Sequence, residues 1–225
     1  MRNATRTLVS TIGIICGLSG LEHGFFEILQ GNVTPEIHLI NGNPMIYAIG
    51  DANRFWSAGF EYAYTIIPNY LLTGILAMIF SLIVIVWSAR YIQTKAGWLI
   101  FLLFSVLQYL TGGGAAQFGP AMIVGVVAIF INHPLTVRWK FLSVRIRQVI
   151  GKPWAWLLAL FSFVFCHSAV TAVFGFFYGV NDPDVISQIL YGMLYLMMGL
   201  LPLVILSALA HDSQDISAMN PKAKQ

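Results

Sequence analysis

The chain has 225 residues, of which 58% are apolar and only 9% are charged, and its net charge is +3. A soluble domain carries about 25% charged residues, so this composition excludes an ordinary water-soluble protein, and we expect no nucleic-acid partner. We therefore expect one all-α domain, an integral membrane protein whose solvent and main partner is the lipid bilayer.

Uncharged apolar stretches predict six transmembrane helices, because one crossing needs about 20 mostly apolar residues. The first span, at about residues 7–30, is the least apolar, since Glu22, His23 and Glu27 lie in its second half. Three consecutive glycines and Pro120 divide one long apolar stretch into two spans, because neither residue type favours a continuous helix. The other spans are predicted at about 64–88, 97–112, 119–133, 153–179 and 186–210.

The basic residues predict the orientation of these spans. If all six cross, every Lys and Arg except Arg54 falls on one side, and Lys and Arg are enriched in cytoplasmic loops. Both chain ends, including the tail 212–225, are then cytoplasmic, and we expect a multi-pass protein of the plasma membrane. Without the first span, Arg2 and Arg6 would lie outside, so the charge pattern supports that span where its hydropathy is weak.

Two connecting loops are long enough to have structure of their own, the outer loop at 31–62 and the inner loop at 134–152. Apolar residues of the inner loop recur at helical spacing, which predicts a helix lying on the inner leaflet between spans 4 and 5. They are Trp139, Leu142, Ile146 and Val149. Anionic lipid is expected to bind the basic residues of this loop, although cytoplasmic enrichment of basic residues explains them more simply. These are Arg138, Lys140, Arg145 and Arg147.

Span 1 carries a stripe of small residues on one helical face, which predicts the close approach of another helix. The stripe consists of Gly13, Gly17, Gly20, Gly24 and Gly31. Glu27 falls on the same stripe. His23 and Glu27 are four residues apart, so they share a face and are placed to form a hydrogen bond. Glu22 points about 140° away from Glu27, so span 1 must be surrounded by protein or face a wet cavity.

Helical rise predicts which polar residues share a level in the membrane. Glu22 lies about 22 Å along a helix that begins near Thr7, and His167 lies about 21 Å along span 5. Asn69 in span 2 reaches a similar level from the outer side. We therefore predict one buried polar cluster in the outer half, with Gln108 and Thr111 at its border. Its members are Glu22, His23, Glu27, Asn69 and His167.

Several functions fit such a cluster, because ionisable residues within a span are costly and indicate function. The leading hypothesis is proton- or cation-linked transport of a small solute. A hydrogen-bonded network that only locks the helices together, in a non-catalytic scaffold, explains the same residues. A third interpretation is a membrane haem protein with His23 and His167 as axial ligands and His133 and His211 as a second pair. No nucleophile motif supports an intramembrane hydrolase, so we expect neither an enzyme nor, apart from haem, a cofactor. The sequence leaves a homo-oligomer open.

Overall fold

The computed structural model describes residues 3–34, 38–39, 47–49, 63–132 and 143–219, and these form a mainly helical structure. The helices are α1 Asn3–Gln30, α2 Tyr70–Arg90, α3 Gly97–Leu110, α4 Phe118–Val127, α5 Ile129–Asn132, α6 Val144–Gly151, α7 Trp154–Phe174 and α8 Pro183–Met219. Four helical segments are long and apolar enough to span a membrane, namely Ala4–Gln30, Tyr70–Arg90, Val144–Phe174 and Pro183–Gln214. The apolar helices Gly97–Leu110 and Phe118–Asn132 are shorter.

Three short strands accompany the helices, in the outer loop and directly after it. The strands β1 His38–Leu39, β2 Tyr47–Ile49 and β3 Ala63–Thr65 pair antiparallel in the order β1-β2-β3. The third strand also displaces the start of the second predicted span. The helix begins at Tyr70, because Asn69 has an extended backbone and its side chain accepts a hydrogen bond from the Leu72 amide, an arrangement that caps a helix N-terminus.

The described turns that carry basic residues lie at one end of the helical bundle. We call this end the basic end. The α2–α3 turn, with Arg90 and Lys95, lies there. The Trp87 indole donates to the Gly97 carbonyl across this turn at 3.0 Å. The Asn132 amide, at the end of α5, donates to the carbonyls of Gln93 and Thr94 at 3.1 and 3.2 Å. The hairpin formed by α3 and α4–α5 therefore starts and finishes at the basic end.

The start of α1 and the end of α8 also meet at the basic end. Asp212 is 2% exposed, and its two carboxylate oxygens accept hydrogen bonds from the Ala4 and Thr5 amides at 3.1 and 2.9 Å. These amides belong to the first turn of α1, which has no intrahelical acceptor for them. Because the carboxylate also complements the positive end of the helix dipole, Asp212 fixes α1 to α8.

Four glycines of the predicted stripe pack against α2, whereas Gly31 lies beyond the end of α1 and a Cβ there would meet no atom within 4 Å. A Cβ on Gly24 would lie 2.8 Å from the Gly74 carbonyl oxygen, and a Cβ on Gly74 would lie 2.7 Å from the Gly24 carbonyl oxygen. Gly13 and Gly17 are equally close to α2, where they meet Ser88 and Ile85. The two backbones therefore approach closely because no side chain stands between them.

The short helix α6 lies in the predicted inner loop and packs against the end of α8. The Gln214 amide donates to the Arg147 carbonyl at 3.0 Å, and the Ser207 hydroxyl donates to the Ile150 carbonyl at 2.6 Å. Its apolar side chains Ile146 and Val149 remain exposed. The other residues predicted for this surface lie outside the described residues, and they are Arg138, Trp139, Lys140 and Leu142.

Candidate functional site

A non-helical turn joins α3 to α4 at the end of the bundle opposite the basic end. Its glycines Gly112 and Gly114 have φ angles of 85° and 86°, which side chains with a Cβ rarely adopt. The Gly112 amide donates to the Tyr64 carbonyl at 2.8 Å, and the Gly113 amide donates to the Gln108 carbonyl at 2.9 Å. The neighbouring strand β3 and the last turn of α3 therefore satisfy this irregular backbone. We call residues 111–117 the glycine turn.

The Glu27 side chain of α1 is buried against the glycine turn. Glu27 is 3% exposed, and a Cβ on Gly112 would lie 2.7 Å from its carboxyl carbon. Neither carboxyl oxygen has a hydrogen-bond partner among the residues that the structure describes. The hydrogen bond predicted between His23 and Glu27 is therefore not formed. A buried carboxyl group without a hydrogen bond is costly, so this position calls for an explanation.

His23 of α1 makes a second buried polar contact with the glycine turn, beside Gln117 at the end of that turn. They are 3% and 2% exposed, and a Cβ on Gly114 would lie 2.6 Å from His23 Cδ2 and would also meet Gln117 Nε2. The Gln117 carboxamide oxygen accepts a hydrogen bond from the Ser19 hydroxyl at 3.4 Å. Two buried polar side chains therefore meet at Gly114, two residues along the turn from Gly112, which contacts Glu27.

Gln108 and Thr111 border this region, as the sequence predicts. The Gln108 amide donates to the Cys16 carbonyl of α1 at 3.1 Å, over the position of Gly20, where a Cβ would overlap the carboxamide. The Thr111 hydroxyl donates to the Leu107 carbonyl at 2.9 Å. Four buried side chains and the glycine turn therefore make up the candidate site. They are His23, Glu27, Gln108 and Gln117.

The structure does not bring Asn69 into this site. Its carboxamide donates to the Asn32 side chain at 2.6 Å and accepts from the Leu72 amide at 3.0 Å, both in exposed positions. The prediction placed Asn69 by its level alone, whereas the residue stands before α2 and caps it. Its role in the described structure is therefore local.

Glu22 and His167 have described surroundings different from those of the Glu27 carboxyl group. Glu22 lines a cavity together with residues of α7 and α8 and with Ala115 and Ala116 of the glycine turn, which agrees with its predicted direction away from Glu27 on the helix. The His167 imidazole contacts three aromatic rings, with centroid distances of 5.4 Å to each of Phe163, Phe177 and Tyr178. The described contacts place Glu27, Asn69 and His167 in different surroundings, because helical depth does not specify the face from which a side chain projects.

The haem interpretation requires His23 and His167 to face each other. The described neighbours of the two imidazoles differ, since His23 meets the glycine turn and His167 meets aromatic rings. Within the described ranges, no group of three or more His, Cys, Asp or Glu side chains is placed to hold a metal ion. His133, a member of the second predicted pair, lies outside the described residues.

No pattern in the sequence places Gly112, Gly114 and Gln117 in the candidate site. The three glycines at 112–114 were visible as a break between two spans, but a break does not reveal which helix it contacts. Gln117 is a polar residue in an apolar stretch, and this polarity was the one sequence signal that could have indicated a role for it. Comparison of the chain with protein-family models, with curated proteins and with solved structures gives no match.

Proposed function

We propose that this chain is a plasma-membrane protein that crosses the bilayer six times with both ends in the cytoplasm, and that it transports a small solute coupled to proton exchange at Glu27. The observation that carries the proposal is the Glu27 carboxyl group, which is buried against the glycine turn without a hydrogen bond to any described residue. Ionisable groups placed in this way within a membrane are characteristic of proton relays and substrate pathways.

The apolar exterior of the bundle supports a membrane location. Large apolar side chains of α2 and α3 are about half exposed, among them Ile79, Leu82, Val86 and Leu103. A water-soluble protein rarely exposes contiguous apolar surface of this kind, whereas lipid tails solvate it well. Together with four segments long enough to cross, this exterior favours an integral membrane protein.

The arrangement of the shorter helices supports six crossings. The α3 helix has 14 residues, a length of about 21 Å, against about 30 Å of hydrocarbon. The α3 helix begins at the basic end and is too short to reach the other side of the hydrocarbon layer. The glycine turn that follows it therefore lies at membrane depth, beside α1 residues 20–27, and α1 continues past it to Gln30. Irregular backbone at membrane depth is tolerated where protein surrounds it. The glycine turn meets this condition, since strand β3 and α1 contact it.

The chemistry of the site favours a proton over a metal cation. A carboxyl group away from water is stable when it is protonated and neutral, or when it is ionised and paired with a cation. Divalent cations such as Ca²⁺ and Mg²⁺ take several oxygen ligands, usually more than one carboxylate. At Gly112 the glycine turn meets one carboxyl group, that of Glu27, and the side chains that it meets at Gly114 are those of His23 and Gln117.

The helix α6 supports the predicted contact with anionic lipid at the inner leaflet. Val144, Ile146 and Val149 are exposed apolar residues, and Arg145 and Arg147 alternate with them. Such a segment suits the boundary between acyl chains and anionic headgroups. We propose that it lies there and binds the inner leaflet.

The first experiment asks whether Glu27 exchanges a proton with water. Infrared difference spectra of the purified protein in phosphatidylcholine nanodiscs, recorded as the pH is raised, should show the loss of a protonated carboxyl band. That band should be absent from the Glu27→Gln variant and present in Glu22→Gln. A carboxyl band of Glu27 that does not respond to pH, or no such band at any pH, would contradict proton exchange at this residue.

The second experiment tests transport itself. Liposomes that contain the protein and a pH-sensitive dye would be given a pH gradient in the presence of a mixed pool of small solutes, and the wild type should dissipate it faster than Glu27→Gln. Thermal unfolding of both proteins in detergent provides the control. If Glu27→Gln retains full flux, the proposal is wrong. If the variant loses flux only together with folding, the helix-locking interpretation is correct instead.

A further inference from the structure

A cavity of about 280 Å³ lies beside the glycine turn, and three polar side chains line it among apolar ones. Ser19 and Glu22 of α1 and Ser168 of α7 are these polar residues, and Ala115 and Ala116 of the glycine turn belong to the same lining. A water molecule takes about 30 Å³ of liquid volume and enters a cavity where polar groups can hold it. The cavity therefore has room and hydrogen-bonding partners for water next to the glycine turn.

The Gln117 side chain joins this cavity to the candidate site. At one end, its carboxamide oxygen accepts a hydrogen bond from the Ser19 hydroxyl at 3.4 Å, and Ser19 lines the cavity. At the other end, its amide nitrogen is buried without a hydrogen-bond partner among the described residues and meets the His23 imidazole at Gly114. A buried donor without an acceptor is costly, so a water molecule held by this nitrogen would account for the position of Gln117.

The step from Gly114 to the Glu27 carboxyl group is short. Gly112 and Gly114 are two residues apart, so their backbones lie within about 7 Å of each other. The carboxyl oxygens of Glu27 lie against Gly112. Hydrogen bonds between oxygen atoms are about 2.8 Å long, so one or two water molecules suffice to link the Gln117 amide to Glu27.

Described contacts close three other directions around the site. On the side of β3, the Gly112 amide donates to the Tyr64 carbonyl at 2.8 Å. On the side of α2, a Cβ on Gly24 would lie 2.8 Å from the Gly74 carbonyl oxygen, so backbone meets backbone there. Toward the basic end, the Gln108 carboxamide is hydrogen-bonded to α1. The polar gap beside Gln117 is therefore the route to Glu27 that these contacts leave.

We propose that protons pass between the cavity and Glu27 along a short chain of water molecules that Gln117 holds over Gly114. This inference rests on the proposed function, because it supplies the route for proton exchange at Glu27. In the transfer, an O–H bond of a protonated water breaks and an O–H bond forms on a Glu27 carboxyl oxygen, so neutral water remains. Gln117 is a positioning residue, since its carboxamide orients the water and exchanges no proton itself.

Time-resolved infrared spectroscopy of the full-length protein in phosphatidylcholine nanodiscs tests this route. After a laser-induced pH jump, the measurement is the rate at which the carboxyl band of Glu27 responds. Gln117→Leu keeps the volume of the side chain and removes both hydrogen-bonding ends, so it should slow the response by about tenfold. The final amplitude at each pH should stay unchanged, because a route affects the rate and not the equilibrium. Gln117→Asn, which retains the amide, should keep part of the wild-type rate.

Two serine variants provide a matched pair. Ser19 and Ser168 line the same cavity, but the Ser168 hydroxyl donates to the Phe165 carbonyl of its own helix at 2.8 Å, whereas that of Ser19 donates to Gln117. Ser19→Ala should slow the infrared response severalfold, and Ser168→Ala should leave it unchanged. The pair tests the route even if Gln117→Leu fails to fold.

The outcomes separate the route from the proposed function. A wild-type rate in Gln117→Leu, or equal rates in the two serine variants, would overturn the route and leave proton exchange at Glu27 intact. A Glu27 band that does not respond to pH in the wild type would contradict the proposed function and the route together.

Discussion

The backbone of Gly112 lies directly against the carboxyl group of Glu27, so that a methyl group on Gly112 would meet both carboxyl oxygens and the carboxyl carbon. Gly112 is in the positive-φ region, and Glu27 is buried in α1. The contact joins the most polar part of the first helix to the one long break in the α3–α4 hairpin. Two features that look unrelated in the sequence are therefore parts of one site.

Gly112→Ala should destabilise the protein by more than backbone strain alone. A non-glycine residue at positive φ costs about 1–2 kcal/mol, and the overlap with Glu27 adds an overpacking penalty of about 1–3 kcal/mol. The measurement is the free energy of unfolding by dodecyl sulfate in mixed micelles. Gly31→Ala is the matched control, since Gly31 also has positive φ but a Cβ there would meet nothing within 4 Å, so it should show the strain alone.

A double-mutant cycle tests the contact between the same two residues. Glu27→Ala removes the carboxyl group that a Cβ on Gly112 would overlap, so the loss of unfolding free energy in Gly112→Ala with Glu27→Ala should be smaller than the sum of the single losses by about 1 kcal/mol. The same cycle between Gly31 and Glu27 should be additive. Additivity in both cycles would show that the two groups do not interact.

Gly24→Ala should lower the thermal unfolding temperature in detergent, because its methyl group would meet the Gly74 carbonyl across the α1–α2 contact. We expect a loss of about 1–3 kcal/mol. Gly192→Ala in α8 is the control, since a Cβ there would meet nothing within 4 Å and alanine favours a helix more than glycine does. The control should be neutral or slightly stabilising. Equal destabilisation by both would show that the helices do not approach at Gly24.

Asp212→Ala should destabilise the start of α1. The carboxylate accepts hydrogen bonds from the Ala4 and Thr5 amides, and the loss of a helix cap costs about 1–2 kcal/mol. Hydrogen exchange should therefore increase at the first turn of α1, with a lower unfolding temperature. Asp184→Ala, at the exposed start of α8, should change stability by no more than about 0.5 kcal/mol. Unchanged exchange at Ala4 and Thr5 would argue against the cap.

Asn69→Ala should lower stability by about 1 kcal/mol, because it removes the cap of α2, and it should leave the infrared signal of Glu27 unchanged. Asn69→Asp keeps the acceptor for the Leu72 amide and should retain most of the stability. This pair separates a structural role from membership in the Glu27 site. A change in proton exchange at Glu27 in Asn69→Asp would return Asn69 to the functional cluster.

Much of the membrane character and the α1–α2 packing follows from local sequence rules. Long uncharged stretches specify apolar helices, and glycines at spacings of three and four specify a narrow helix face. The Gly24–Gly74 approach is a direct consequence. The second span is predicted to start at residue 64, whereas α2 begins at Tyr70, because the capping signal of Asn69 is not part of a hydropathy pattern.

The composition of the candidate site could be predicted only in part. The sequence identified His23 and Glu27 as unusual and placed Gln108 at their border, because polar residues in an apolar helix are conspicuous on their own. It also grouped Asn69 and His167 with them, since it compared levels along separate helices. Gln117 was not identified, because its contact with Ser19 joins residues 98 positions apart in the chain.

By itself the sequence determined that most of the chain forms apolar helices suited to a lipid bilayer, that α1 is the least apolar of the four long helices and that α1 packs closely through glycine. Each of these depends on residue type and local periodicity, which act within a few residues. Only the tertiary structure decided that the glycine turn contacts Glu27, that Glu22 lines a separate cavity and that Asp212 of α8 binds the first turn of α1. These contacts depend on how the helices rotate and tilt against one another, and helix packing fixes that rotation only when the whole bundle assembles.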